Sequence, residues 1–186
     1  MRVIAGKARS LPLKTVPGKD VVRPTTDRIK ETLFNILAPD IADCRFLDLF
    51  AGSGAIGIEA LSRGAQKACF VEKSQKAVEC IKENLRFTRL EQNAQIVERD
   101  VLTALRILEA QGDEFDIIFM DPPYGRLLEK DALSFLSRSS LVARDAILVV
   151  EASRATSFSY LEEYSFHLDR EKIYGSNKHV FISKED

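Results

Sequence analysis

The stretch from Asp48 to Gly57, "DLFAGSGAIG", joins an apolar run, "FLDLF" (46–50), to a helical pattern, "GAIGIEALSR". Its glycines Gly52, Gly54 and Gly57 form a literal GxGxxG between a strand and a helix. Glycines at this spacing permit a tight turn and let backbone N–H groups approach a ligand at a helix N-terminus. A dinucleotide-binding protein carries the same spacing, so the loop alone places a ligand without naming it.

On either side, the pattern repeats. "ACFVE" (68–72) precedes "SQKAVECIKENLRF", "AQIVE" (94–98) precedes "VLTALRILEA", "FDIIFM" (115–120) precedes "EKDALSFLSR", and "AILVVE" follows. Short, nearly continuous apolar strands separated by amphipathic helices predict βαβ units, so residues 45–151 read as a doubly wound parallel α/β sheet covered on both faces. Near the end, "SFHLDREKIYG" and "HVFISK" have only the turn "GSNK" between them, which predicts an added antiparallel hairpin. At the start, "RVIA" and "LPLKTV" predict a short hairpin and "VPGKD" a loop. Then "TTDRIKETLFNIL" sets Ile29, Leu33, Ile36 and Leu37 on one helical face behind a Thr/Asp cap. With Pro39 as the junction, the expected division is a small basic extension over residues 1–40 and the α/β domain over residues 41–186.

The chain has 186 residues, 45% hydrophobic and 30% charged, the composition of an ordinary globular domain. No apolar run approaches the roughly 18 residues of a membrane helix, and "MRVIAGKARS" lacks a signal-peptide core, so the expected location is cytoplasmic. Cys44, Cys69 and Cys80 show no metal-ligand spacing and read as buried thiols; with His167 and His179 as the only histidines, no metal site is expected. The net charge of −1 hides an asymmetry. Residues 1–30 hold eight Lys/Arg against two acids, whereas the remainder holds nineteen against twenty-six. A polyanion would be met by the leading segment.

Three acids narrow the ligand. Asp48, near the end of its strand, would repel a pyrophosphate but accept a hydrogen bond from an ammonium group. Glu72 ends the next strand eighteen residues after Gly54, where a carboxylate can take both hydroxyls of a ribose. Asp100, followed by apolar Val101 and Leu102, suits an adenine amino group and ring face. An amino acid, a ribose and an adenine without phosphate describe S-adenosylmethionine. Taken singly, Glu72 and Asp100 are equally ordinary strand-end and helix-cap acids.

The other half of the site is "FMDPPYG" (119–125). In open α/β sheets ligands bind outside the carboxyl ends of the strands, where Asp121 stands. Pro122 and Pro123 fix φ near −65° and remove two N–H donors, leaving a stiff, acceptor-rich loop. Such a loop suits an exocyclic amine on a planar base. If the Asp121 carboxylate and the Pro122 carbonyl each accept one N–H, the nitrogen can turn tetrahedral as it attacks a methyl group, and Tyr124 can stack on the base.

"LDLFAGSGAIGIEALSRGA" followed by "DPPYG" resembles the S-adenosylmethionine-dependent methyltransferases that act on exocyclic amines. With "MRVIAGKARS" and "RPTTDRIKETLFNIL" ahead and "YGSNK" behind, nearly the whole chain resembles the RsmD family, which methylates N2 of guanine 966 in 16S ribosomal RNA. The resemblance implies a Rossmann-like seven-stranded, mostly parallel sheet with an N-terminal extension. It implies that Asp48, the loop Phe50, Ala51, Gly52, Ser53 and Gly54, the pair Glu72 and Lys73, and Asp100 with Val101 hold the cofactor. Asp121, Pro122, Pro123 and Tyr124 would hold the guanine. Arg2, Lys7, Arg9, Arg23, Thr25 and Arg28 would meet the RNA, within a partly assembled small ribosomal subunit. The family's usual Tyr-Gly-x-Thr is Tyr174-Gly175-Ser176-Asn177 here. Motifs alone leave open an adenine-N6 methyltransferase, and GxGxxG alone a nicotinamide-dependent dehydrogenase; a non-catalytic RNA-binding module is a further alternative.

Overall fold

The apolar runs form the centre of a seven-stranded sheet. The computed structural model describes residues 1–16, 27–123 and 127–185. Its strands are β1 (Arg45–Asp48), β2 (Lys67–Val71), β3 (Ala94–Val97), β4 (Phe115–Met120), β5 (Val142–Ser153), β6 (Phe166–Tyr174) and β7 (Asn177–Lys184), in the order β3-β2-β1-β4-β5-β7-β6. The first five are parallel, and β7 pairs antiparallel with β5 and β6. The C-terminal hairpin is therefore present as expected, closed by the two residues Gly175 and Ser176.

Helices cover both faces, as two-sided burial of the strands requires. They are α1 (Asp27–Ile36), α2 (Ala38–Ile41), α3 (Ala55–Ser62), α4 (Gln75–Thr88), α5 (Val101–Ala110) and α6 (Leu128–Leu136). On one face Leu47, Cys69, Ile118 and Leu148 pack with Leu105, Leu108, Leu133 and Leu136 of α5 and α6. On the other, Phe46, Phe70, Ile117, Phe119 and Phe181 pack with Leu33 and Phe34 of α1, Ile58 and Leu61 of α3, and Ile81 and Leu85 of α4. All three cysteines are buried and free.

Two expectations are modified. The leading hairpin reduces to a single antiparallel bridge, Arg2 to Pro12, with the Ser10 amide donating to the Val3 carbonyl at 2.8 Å. In α1 the buried residues are Lys30, Leu33 and Phe34; Leu37 is buried just beyond it, while Ile29 and Ile36 are half-buried. The helix is turned toward Lys30 because its ammonium finds Glu59 of α3 inside the fold, at 3.0 Å with both side chains fully buried. Pro39 lies in the first turn of α2.

The extension is bound to α3 rather than draped over it. Glu59 accepts from the Ile4 amide at 2.8 Å, the Ala5 amide at 3.0 Å and the Arg63 Nε at 2.8 Å. The Ser62 hydroxyl donates to the Ala5 carbonyl at 2.6 Å and accepts from the Ala8 amide at 2.9 Å. Gly6, at φ +81°, lies so close that a Cβ there would sit 1.8 Å from the Ser62 carbonyl oxygen.

Candidate active site

The carboxyl ends of β2, β1 and β4 are tied together by loop hydrogen bonds at the edge where the candidate site lies. Leu49 N–H donates to the Phe119 carbonyl at 3.0 Å, Ala51 N–H to Val71 at 3.0 Å and Glu72 N–H to Val97 at 3.2 Å. Asp48, Glu72, Asp100 and Asp121 are thereby brought to one edge of the sheet.

Gly54 caps α3 at φ +79°, a left-handed conformation in which a side chain would also press on Ile81 at 3.2 Å. Gly57 serves packing instead: a Cβ there would fall 2.4 Å from the Phe70 ring, so its absence seats α3 on β2. Glu72 locks the loop, accepting from the Gly52 amide at 3.0 Å and the Ser74 amide at 2.8 Å. Asn84 of α4 supports it from behind. Its Nδ2 donates to the Ser53 carbonyl at 2.9 Å and the Lys14 carbonyl at 3.0 Å, and its Oδ1 accepts from the Lys14 amide at 2.9 Å. One buried amide thus joins the extension to the glycine loop.

Asp48, the last residue of β1, is 1% exposed. Its Oδ2 accepts from the Gly57 amide at 3.3 Å, while Oδ1 is enclosed without a partner among the described residues. Burial, aided by the charge of Glu72, pushes its carboxyl up to about 7. A buried carboxylate oxygen lacking a donor is what the ammonium group of an amino acid would satisfy. With the side-chain-free turn at Gly54 and two strand-end carboxylates beside it, the residues fit S-adenosylmethionine. Asp100 caps α5, accepting from the Thr103 amide at 3.0 Å. Side-chain and backbone hydrogen bonds from Thr103 hold its carboxyl below the ordinary value, and the residue remains exposed beside half-buried Val101. Phe50 is half-buried and Lys73 exposed.

Asp121 follows the last residue of β4 and is half-buried, Pro122 is buried and Pro123 exposed. Tyr124, Arg23 and Thr25 lie outside the described residues. Arg2 is paired with Asp27 at 3.2 Å. Lys7, Arg9 and Arg28 are exposed and form no ion pair with a described residue. No cluster of His, Cys, Asp and Glu among the described residues could hold a metal ion, and no helix among them is long and apolar enough to cross a membrane.

Sequence reasoning missed Asn84, Lys30, Glu59 and a buried polar group made by Glu151 and His179. Asn84, Lys30 and Glu59 carried a readable signal, a polar residue at an apolar-periodic position of a helix. The partners that explain them come from distant segments.

Fold and family together define the class, a methyltransferase on a doubly wound α/β sheet. The chain belongs to the RsmD family, and the matching family model, described as "Conserved hypothetical protein 95", spans residues 1–183. The Escherichia coli (strain K12) protein named Ribosomal RNA small subunit methyltransferase D is 36% identical over 187 residues, covering 100% of this chain and 90% of its own. The Haemophilus influenzae protein of that name is 38% identical over 157 residues, covering 83% and 79%. A solved hypothetical protein of Thermus thermophilus matches with a TM-score of 0.83 and 34% identity, over 100% of this chain and 99% of its own. A protein solved in complex with S-adenosylhomocysteine shares the fold at a TM-score of 0.66 and 16% identity, over 82% and 48%. The methyltransferase relatives and the cleft point to S-adenosylmethionine as the cofactor.

Proposed function

We propose that the protein transfers a methyl group from S-adenosylmethionine to the N2 amine of a guanine in 16S ribosomal RNA, at position 966, within a partly assembled small ribosomal subunit. The observation that carries this reading is the placement of Asp121 one residue past β4, beside the strand whose end holds the unsatisfied Asp48 oxygen. The names of the Escherichia coli and Haemophilus influenzae relatives support ribosomal RNA of the small subunit as the substrate. The guanine-N2 assignment rests on the family resemblance and on the acceptor-rich Asp121-Pro122 edge. Residues 1–40 act as a basic extension and residues 41–186 as the transferase domain.

The cofactor supplies an electrophilic methyl group when bound. Asp48 takes its ammonium group, Glu72 the ribose hydroxyls, Asp100 and Val101 the adenine, and the loop from Phe50 to Gly54 and Lys73 encloses them. An exocyclic amine is a weak nucleophile because its lone pair is delocalised into the ring. The Asp121 carboxylate and the Pro122 carbonyl accept its two N–H groups, holding the nitrogen as it turns tetrahedral and orienting its lone pair. The Asp121 carboxylate then takes the proton that the amine gives up. The proline pair keeps both acceptors in place beforehand, and Tyr124 stacks on the base. Lys7, Arg9 and Arg28, with Arg2, Arg23 and Thr25, meet the RNA backbone, an interaction that weakens as salt rises.

Purified protein with labelled S-adenosylmethionine is expected to methylate small-subunit particles or 16S RNA, and Asp121→Ala to lower the rate by at least about a hundredfold. Transfer only to DNA or to protein would overturn the assignment.

A further inference from the structure

The sheet edge divides into two halves. The cofactor residues lie at the ends of β3, β2 and β1, and Asp121 stands at the boundary, after β4. A base whose amine sits at Asp121 therefore extends over the ends of β5, β7 and β6. Those ends carry a polar group with no part yet in the reaction. Met120 of β4 pairs with Val150 of β5, and Asp121 and Glu151 are the residues that follow this last pair. Across β5, Glu151 pairs in register with His179 of β7.

Glu151 is 6% exposed and held from two sides. Asn177 Nδ2 donates to its Oε1 at 3.3 Å, and His179 Nε2 stands 3.1 Å from its Oε2. The Tyr174 ring packs edge-on against His179 with centroids 5.0 Å apart, and Phe119 does so at 6.1 Å. The His179 Nδ1 and the Tyr174 hydroxyl are enclosed without a partner among the described residues.

We infer that Glu151 reads the N1–H of the target guanine and thereby selects guanine over adenine. The inference rests on the reading of this site as an N2 transferase. Along the guanine edge, N2–H₂ is followed by the donor N1–H and then by the acceptor O6. Carboxylates at Asp121 and Glu151 match the first two positions. Adenine placed with N6 at Asp121 would turn the N1 lone pair toward Glu151, acceptor against acceptor. Burial and the neighbouring Glu151 raise the Tyr174 phenol above its ordinary value.

The test compares 16S RNA carrying guanine at the target with RNA carrying 2,6-diaminopurine there. Diaminopurine keeps the 2-amine but presents an N1 lone pair. Wild-type protein is expected to methylate guanine at least about tenfold faster in kcat/KM, the discrimination of one well-placed base contact. Glu151→Gln, which can donate to N1, is expected to narrow or reverse that ratio with Tm and S-adenosylhomocysteine affinity unchanged. Equal methylation of both RNAs by the wild type overturns the inference even if the variant fails to fold, and so does a folded Glu151→Gln that keeps the wild-type ratio. If the guanine RNA yields no N2-methylguanine at all, the N2 reading itself falls, and the inference with it.

Discussion

Asp48 shows how one buried carboxylate can report on the cleft. Its carboxyl lies near 7 because burial disfavours the charge and Glu72 adds repulsion. A raised carboxyl stabilises the fold fully below its ordinary value near 4, and that contribution is lost as pH rises through about 7. Asp48→Asn is therefore expected to raise the Tm of the ligand-free protein at about pH 8 and to leave it nearly unchanged at about pH 4. Binding shows the opposite dependence, since an ammonium partner favours the ionised carboxylate. Calorimetry with S-adenosylhomocysteine is expected to show affinity rising by up to about tenfold per unit between about pH 5.5 and about pH 7, with Asp48→Asn weak and flat. Affinity independent of pH in the wild type would remove Asp48 from ammonium binding. The positions of Glu72 and Asp121 were legible in the sequence because each carboxylate closes an apolar run, and that of Asp48 because it interrupts one. The partners of Asn84 and Glu151 were not, since Lys14 and His179 lie 70 and 28 residues away in the chain.

Helix α3 joins the glycine loop to the N-terminal stretch, and so the proposed cofactor contacts to the proposed RNA contacts. Its first residues follow the glycine loop, and farther along Glu59, Ser62 and Arg63 hold the extension that displays Lys7 and Arg9. Glu59→Ala would leave the Lys30 ammonium buried without its carboxylate, a loss of about 3–5 kcal/mol. Gly6→Ala forces the first turn away from α3 at a cost of more than about 1 kcal/mol. Both are expected to lower Tm and to expose residues 1–16 to limited proteolysis; a cleavage pattern like the wild type's would show that the extension is held by other contacts. The strands and helices of the sheet were readable because two-sided burial leaves continuous apolar runs. The rotation of α1 was not, because only the buried Glu59 of another helix explains why Lys30 points inward.

The chain joins a basic leading segment to an acidic remainder, and the proposed function divides one sheet edge between cofactor and base. Nothing in the net charge of −1 marks a nucleic-acid binder. The separation of charge along the chain is what the proposed RNA contact uses, and contacts of Ile4, Ala5 and Ala8 with α3 anchor the stretch that carries Lys7 and Arg9. The molecule's task is best tested in cells. Mass spectrometry of 16S RNA from cells with and without this gene should show one N2-methylguanine, at position 966, missing from the deletion strain, restored by the wild-type gene and not by Asp121→Ala. Unchanged 16S modification, or a methyl group missing from an adenine, would contradict the account.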